Sequence, residues 1–192
     1  MYLFLNTSYM IIMTTTKLST RDITYIGVFA ALTAIGAFIT IPVGPVPITL
    51  QSFFVLLSGI ILGSKKAMFS QIAYVLLGLV GLPIFSGFSG GLQHMLKPSF
   101  GFLIGAIAAA YCVGKIAEKE NTAKNLSLAV FAGTVVLYAI GLPYMYYVLN
   151  IMLAKSFSIM QIFSMGMFMF IPGDTLKAII TVFVGKKLKD RL

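Results

Sequence analysis

Phe170-Ile171-Pro172-Gly173-Asp174-Thr175-Leu176-Lys177 places an acid and a base inside an apolar run from about residue 157 to 184. A run of that length crosses a bilayer, where no charge is expected. An ionised side chain at mid-bilayer costs about 2.5–3.5 kcal/mol on insertion scales. Asp174 and Lys177 are three apart, so on a helix they share one face and neutralise each other. Pro172 lacks a backbone N–H and Gly173 favours open dihedrals, which together predict a kink or a restart, with Asp174 capping the second half-helix. Broken backbone at membrane depth is tolerated only where protein buries it or a cavity hydrates it. The stretch therefore reads as a polar site within a membrane bundle, or as a structural ion pair holding the last helix to its neighbours.

Composition agrees with a membrane setting. Of 192 residues, 59% are hydrophobic and 10% charged, and the mean hydropathy is +0.99. A soluble domain carries about 25% charged residues, so the chain reads as an integral membrane protein of one domain. The formal charge of +9 does not point to nucleic acid, because the basic residues sit between apolar segments instead of forming one patch. Cys112, the single cysteine, excludes an intrachain disulfide and lies in an apolar run as a small packed thiol.

Six spans are expected, making an all-α, polytopic bundle. Residues 1–21 form an N-terminal extension, interfacial or disordered, with the start at Met1, Met10 or Met13; residues 22–192 form the bundle. Ser19-Thr20-Arg21-Asp22 offers N-caps for the first span, to about Ile41. Pro42-Val43-Gly44-Pro45-Val46-Pro47 is a stiff extended loop. The second span covers about 48–63, Ser64-Lys65-Lys66 is a basic loop, and the third covers about 67–82. A glycine- and serine-rich loop with Ser86, Gly87, Ser89, Gly90 and Gly91 precedes a fourth span opening at Pro98. Such a loop presents N–H groups to a ligand. His94, the only histidine, reads as a loop-surface residue. The fifth span, about 126–153, is interrupted at Gly141-Leu142-Pro143, and Tyr144, Tyr147 and Asn150 follow the break.

Even spans put both termini on one side. With that side cytoplasmic, Lys17, Arg21, Lys65, Lys66, Lys115, Lys119, Lys124, Lys186, Lys187, Lys189 and Arg191 lie inside, while only Lys97 and Lys155 lie outside. This bias is the orientation signal of a membrane protein with cytoplasmic termini. It places the proline loop and the Gly-Ser loop together on the outer face.

No serine-histidine-acid set and no nucleotide-binding loop is present, so hydrolytic and phosphoryl-transfer chemistry lack machinery. What remains is an inventory for binding. Asp174 accepts, Lys177 donates, Asn150 does both, and Tyr144 and Tyr147 can wall an apolar moiety. A cyclic urea or an amide-bearing vitamin has the matching shape. In the first span, Ala30 and Ala34 form a small-xxx-small surface for close helix approach, within the chain or with another subunit.

Five separated motifs carry a family resemblance: Pro45-Val46-Pro47-Ile48-Thr49-Leu50-Gln51, Gly81 through Gly91, Pro98 through Gly105, Gly141-Leu142-Pro143-Tyr144, and Phe170 through Lys177. In this order the chain resembles the BioY family, the biotin-binding S components of energy-coupling-factor (ECF) transporters. The resemblance implies a non-enzymatic protein without cofactors that takes biotin as transported ligand at the outer face of a bacterial or archaeal plasma membrane. It implies Asp174, Lys177 and Asn150 at the biotin site, and the residue inventory adds Tyr147, Tyr144, Gln51, Ser86, Gly90 and Gly91 around them. It also implies an Ala30/Ala34 helix docking on a transmembrane coupling subunit served by cytoplasmic ATPases. A solitary secondary transporter using Asp174 as a proton site, and an S component for a different vitamin, are the alternatives.

Overall fold

In the computed structural model, residues 18–191 are described; the reading of Met1 to Met13 lies outside them. Helix α1 (Thr20–Phe38) starts where its cap predicts. The Ser19 hydroxyl accepts from the Asp22 amide and the Asp22 carboxylate accepts from the Ser19 amide, a reciprocal capping box. The proline-rich stretch is not merely extended. It folds back as a short antiparallel hairpin of β1 (Thr40–Ile41) and β2 (Ile48–Thr49), with Gly44 at φ 57 in the connection. These are the only strands among the described residues, so the fold is mostly but not entirely helical.

Helices α2 (Gln51–Leu62) and α3 (Ser64–Val80) are separated by Gly63 alone, at φ 76. The loop expected at Ser64-Lys65-Lys66 is thus the first turn of α3. Glu118 explains the early start: its carboxylate accepts from the Ser64 amide at 2.6 Å and the Ser64 hydroxyl at 2.8 Å. Burial raises the Glu118 carboxyl, but these two bonds together with the nearby Lys115 and Lys189 hold the group below its ordinary value. After α3 a 3-10 turn (Leu92–Leu96) leads into α4 (Phe100–Ala117).

Helix α5 (Ala123–Tyr146) runs straight through Gly141-Leu142-Pro143, contrary to the expected interruption, and widens only afterwards into a π turn over Tyr147–Met152. Pro143 deletes one N–H, while the Phe102 ring packs where a Gly141 side chain would stand, so tertiary contact holds the helix together. The last segment comprises α6 (Ile159–Phe163), a π turn (Ser164–Phe168) and α7 (Ile171–Lys189). The restart at Pro172 is as expected, but Asp174 is not the cap. It sits within the first turn of α7, and its amide already donates to the Phe170 carbonyl at 2.8 Å.

Four helical runs are long and apolar enough to cross a membrane: Thr20–Phe38, Phe100–Ala117, Ala123–Met152 and Ile159–Lys189. Helix α2, with 12 residues, and α3, with 17, are shorter. Helix α4 lies at the centre, packed on α2, α3 and α5. Ala30 and Ala34 are 5% and 7% exposed and pack with Tyr74 and Val75 of α3 and with Phe85, so they are filled from within the chain and offer no face to another subunit. The exposed small residues of α1 are Gly27 and Ala31, one turn apart on its other side.

Polar contacts mark the two ends of the bundle. At one end Lys66 pairs with Asp22 at 2.5 Å, the Lys189 ammonium donates to the Ala117 carbonyl, and Asn121 donates to Asp190. At the other, the Thr40 and Ser86 hydroxyls meet at 3.0 Å, and the Tyr144 hydroxyl donates to the Met95 carbonyl.

Candidate functional site

A pocket opens between the hairpin, α2, α4, α5 and α7. Its polar floor is built on the expected pair. The Lys177 ammonium lies 2.5 Å from one Asp174 oxygen and donates to the Ser52 hydroxyl at 2.7 Å and the Thr49 carbonyl at 3.1 Å. Three partners use all three of its protons. The second Asp174 oxygen accepts from the Tyr138 hydroxyl. The pair lies halfway along the Ile159–Lys189 run, where an unpartnered charge is costly, and this network neutralises both charges. Local structure sets it up: the restart at Pro172 puts Asp174 in the first turn of α7, and the hairpin turns the Thr49 carbonyl inward.

Above the floor, Val46, Val55, Phe102, Leu103, Leu137 and Phe170 form an apolar wall. Gln51, Ser86, His94 and Ser99 add polar groups around it. The combination suits a solute with a hydrogen-bonding ring at one end and an apolar body.

Of the residues expected at the site, Asp174, Lys177, Gln51 and Ser86 line this pocket and the other five do not. Asn150 is committed elsewhere: its amide donates to the Phe157 carbonyl and accepts from the Phe157 amide, both at 2.7 Å, which closes the turn before α6. Tyr147 points outward, 53% exposed. The π turn rotates these residues off the face that an unbroken helix would give them. Tyr144 tethers the 3-10 turn through Met95. Gly91 spends its N–H on the Gly78 carbonyl at 2.7 Å, and Gly90 lies so close to the Leu82 and Gly78 carbonyls that a side chain there would collide. Gly91 thereby seats the loop on α3 with its own amide already engaged.

His94 is the reverse case. It is 5% exposed, not a surface residue, and it lines the pocket. Its ring lies 4.5 Å from that of Phe85, and its Nδ1 is 3.3 Å from the Ser89 hydroxyl. Burial, aided by Lys97, lowers its pKa to about 4, so the ring is neutral near pH 7. Lys97 itself is exposed, as its place in the loop predicts. Tyr138, Thr49 and Ser52 were legible only in part. Thr49 lies in the proline motif and Ser52 directly follows it, while Tyr138 is one of several hydroxyl-bearing residues in the fifth span, Ser127 and Thr134 among them.

Fold and site together define a helical membrane protein with a solute pocket floored by a largely buried, fully partnered ion pair. Comparison with known proteins gives the particular family: the BioY family model matches residues 13–192, and the chain belongs to the BioY family. It is 40% identical over 172 residues to a probable biotin transporter BioY of Lysinibacillus sphaericus, covering 88% of this chain and 87% of that protein. It is 38% identical over 169 residues to the biotin transporter BioY of Thermotoga maritima, covering 88% and 96%. Among solved structures it is similar to the S-component for biotin from an ECF-type ABC transporter, with a TM-score of 0.68 and 29% identity over 88% of this chain and 91% of that one.

Proposed function

We propose that this chain captures biotin and mediates its uptake as the S component of an ECF transporter. The observation that carries the reading is the Asp174–Lys177 pair with Tyr138 at the floor of a pocket whose wall is apolar. A ureido ring presents two N–H donors and one carbonyl. Asp174 accepts from the N–H groups, and Lys177 or Tyr138 donates to the carbonyl. The fused thioether ring lies against Phe102 and Phe170, and the valerate carboxylate extends toward Gln51, Ser86 and Ser99.

In this reading the chain crosses the plasma membrane six times, with the hairpin–α2 unit and α3 as the two short crossings. Both termini are cytoplasmic. The segregation of lysines supports this: Lys65, Lys66, Lys115, Lys186 and Lys189 gather at the end opposite Lys97. A transmembrane coupling subunit and cytoplasmic ATPases supply the energy. Because Ala30 and Ala34 are buried, the α1 surface that would meet the coupling subunit is Gly27 and Ala31.

Mass spectrometry of the small molecule released from purified protein tests the substrate, followed by competition among biotin, desthiobiotin, thiamin and riboflavin. Released biotin, displaced by desthiobiotin but not by thiamin or riboflavin, is the expected result. Release of another vitamin would reassign the substrate. Uptake driven by a pH gradient with no partner present would favour the solitary transporter.

A further inference from the structure

A second cavity, separate from the solute pocket, runs between α5 and α7 and opens to the side of the bundle. Val130, Phe131 and Val135 form one wall and Ile179, Val182 and Phe183 the other. At its inner end the cavity stops at Tyr138 and Asp174, whose hydrogen bond separates it from the pocket. At its other end it opens beside Lys186, Lys187 and Asp190.

Charge is arranged unequally at that mouth. Asp190 already accepts from Asn121 at 2.6 Å. Lys186 and Lys187 are exposed and, among the described residues, neither takes part in an ion pair. From Asp174 to Lys187 the α7 axis rises roughly 20 Å at about 1.5 Å per residue. The hydrocarbon of one leaflet is about 15 Å deep, half of a core of about 30 Å. The apolar part of the cavity thus matches one leaflet, and the lysines fall at headgroup level.

We propose that this groove holds one anionic glycerophospholipid of the leaflet on the lysine-rich side, with an acyl chain between Phe131 and Phe183 and its phosphate against Lys186 and Lys187. Charge complementarity selects this occupant over a second copy of the chain, whose own α5–α7 mouth carries the same lysines and would repel it. Such a lipid packs behind the Tyr138–Asp174 bond, filling the lateral side of the wall. The proposal needs only that the helices lie in a membrane, and it holds whichever solute occupies the pocket.

The test is native mass spectrometry of the full chain released from nanodiscs of phosphatidylglycerol and phosphatidylcholine with matched acyl chains. One retained phosphatidylglycerol per protein is expected, favoured about tenfold over phosphatidylcholine; two lysines alone would give more, and Asp190 at the same mouth reduces it. Lys186→Gln/Lys187→Gln should bring the preference to parity. Ile179→Trp, at a position 64% exposed and outside the solute site, should fill the groove and abolish retention of either lipid while the protein stays folded. Unchanged phosphatidylglycerol retention in the lysine variant, or in Ile179→Trp, overturns the proposal. So does a dimer whose crosslinks run through Phe131 and Phe183.

Discussion

Tyr138 on α5 donates its hydroxyl to Asp174 on α7, completing the coordination of a carboxylate that Lys177 neutralises from its other side. The polar groups of the pocket floor therefore satisfy one another within the chain. A ligand must replace existing hydrogen bonds with better ones, which favours solutes that offer donors and an acceptor in a fixed array.

Removing Lys177 leaves Asp174 half-buried with one neutral partner. Breaking a buried pair costs about 3–5 kcal/mol, so Lys177→Ala is expected to abolish tight biotin binding in calorimetry on detergent-solubilised protein. Affinity within tenfold of the parent would take Lys177 out of the site.

Tyr138→Phe tests the third member of the network. A hydrogen bond to a charged group is worth about 1.5–3 kcal/mol, or about ten- to a hundredfold in affinity. Biotin should bind more weakly by that factor, with the helical circular dichroism spectrum retained. Parent-like affinity would mean that the hydroxyl serves only to hold Asp174 in place.

Ala34→Trp and Ala31→Trp separate core from surface on one helix. Ala34 lies in the cluster with Tyr74 and Val75, and overpacking there costs about 1–3 kcal/mol; a lowered Tm is expected. Ala31 is exposed, so Ala31→Trp should leave Tm and biotin binding unchanged while lowering uptake in cells. Normal uptake with Ala31→Trp would move the partner surface off this face.

His94 makes the loop before α4 pH-sensitive. Its folded pKa, about 4, lies below the ordinary 6.5, so between these values the unfolded chain binds the extra proton. Stability is therefore complete above pH 6.5 and declines as pH falls toward 4. Tm should drop over that window, and His94→Gln should flatten the profile. An equal drop in both proteins would assign the effect to other groups.

Much of the architecture was legible from composition and local chemistry. Apolar runs interrupted by lysines, the Ser19 cap, and the chain restart at Pro172 follow from the bilayer's intolerance of charge and from backbone rules, which act over a few residues. The Asp174–Lys177 pair was legible for the same reason: two opposite charges one helical turn apart in an apolar run have only each other nearby.

The remaining partners depended on which segments fold against one another. Tyr138 and Thr49 reach Asp174 and Lys177 from distant parts of the chain, and no local pattern marks such a meeting. Helix faces were decided in the same way. Ala30 and Ala34 turned inward because α3 packs there, and Asn150 left the pocket because a π turn widened its helix and Phe157 claimed its amide. His94 was drawn in by Phe85, whose ring fills the space that Gly78 leaves open. Sequence determined which residues the membrane forces to be paired; only the tertiary structure decided with what, because partners are chosen by packing between elements far apart in the chain.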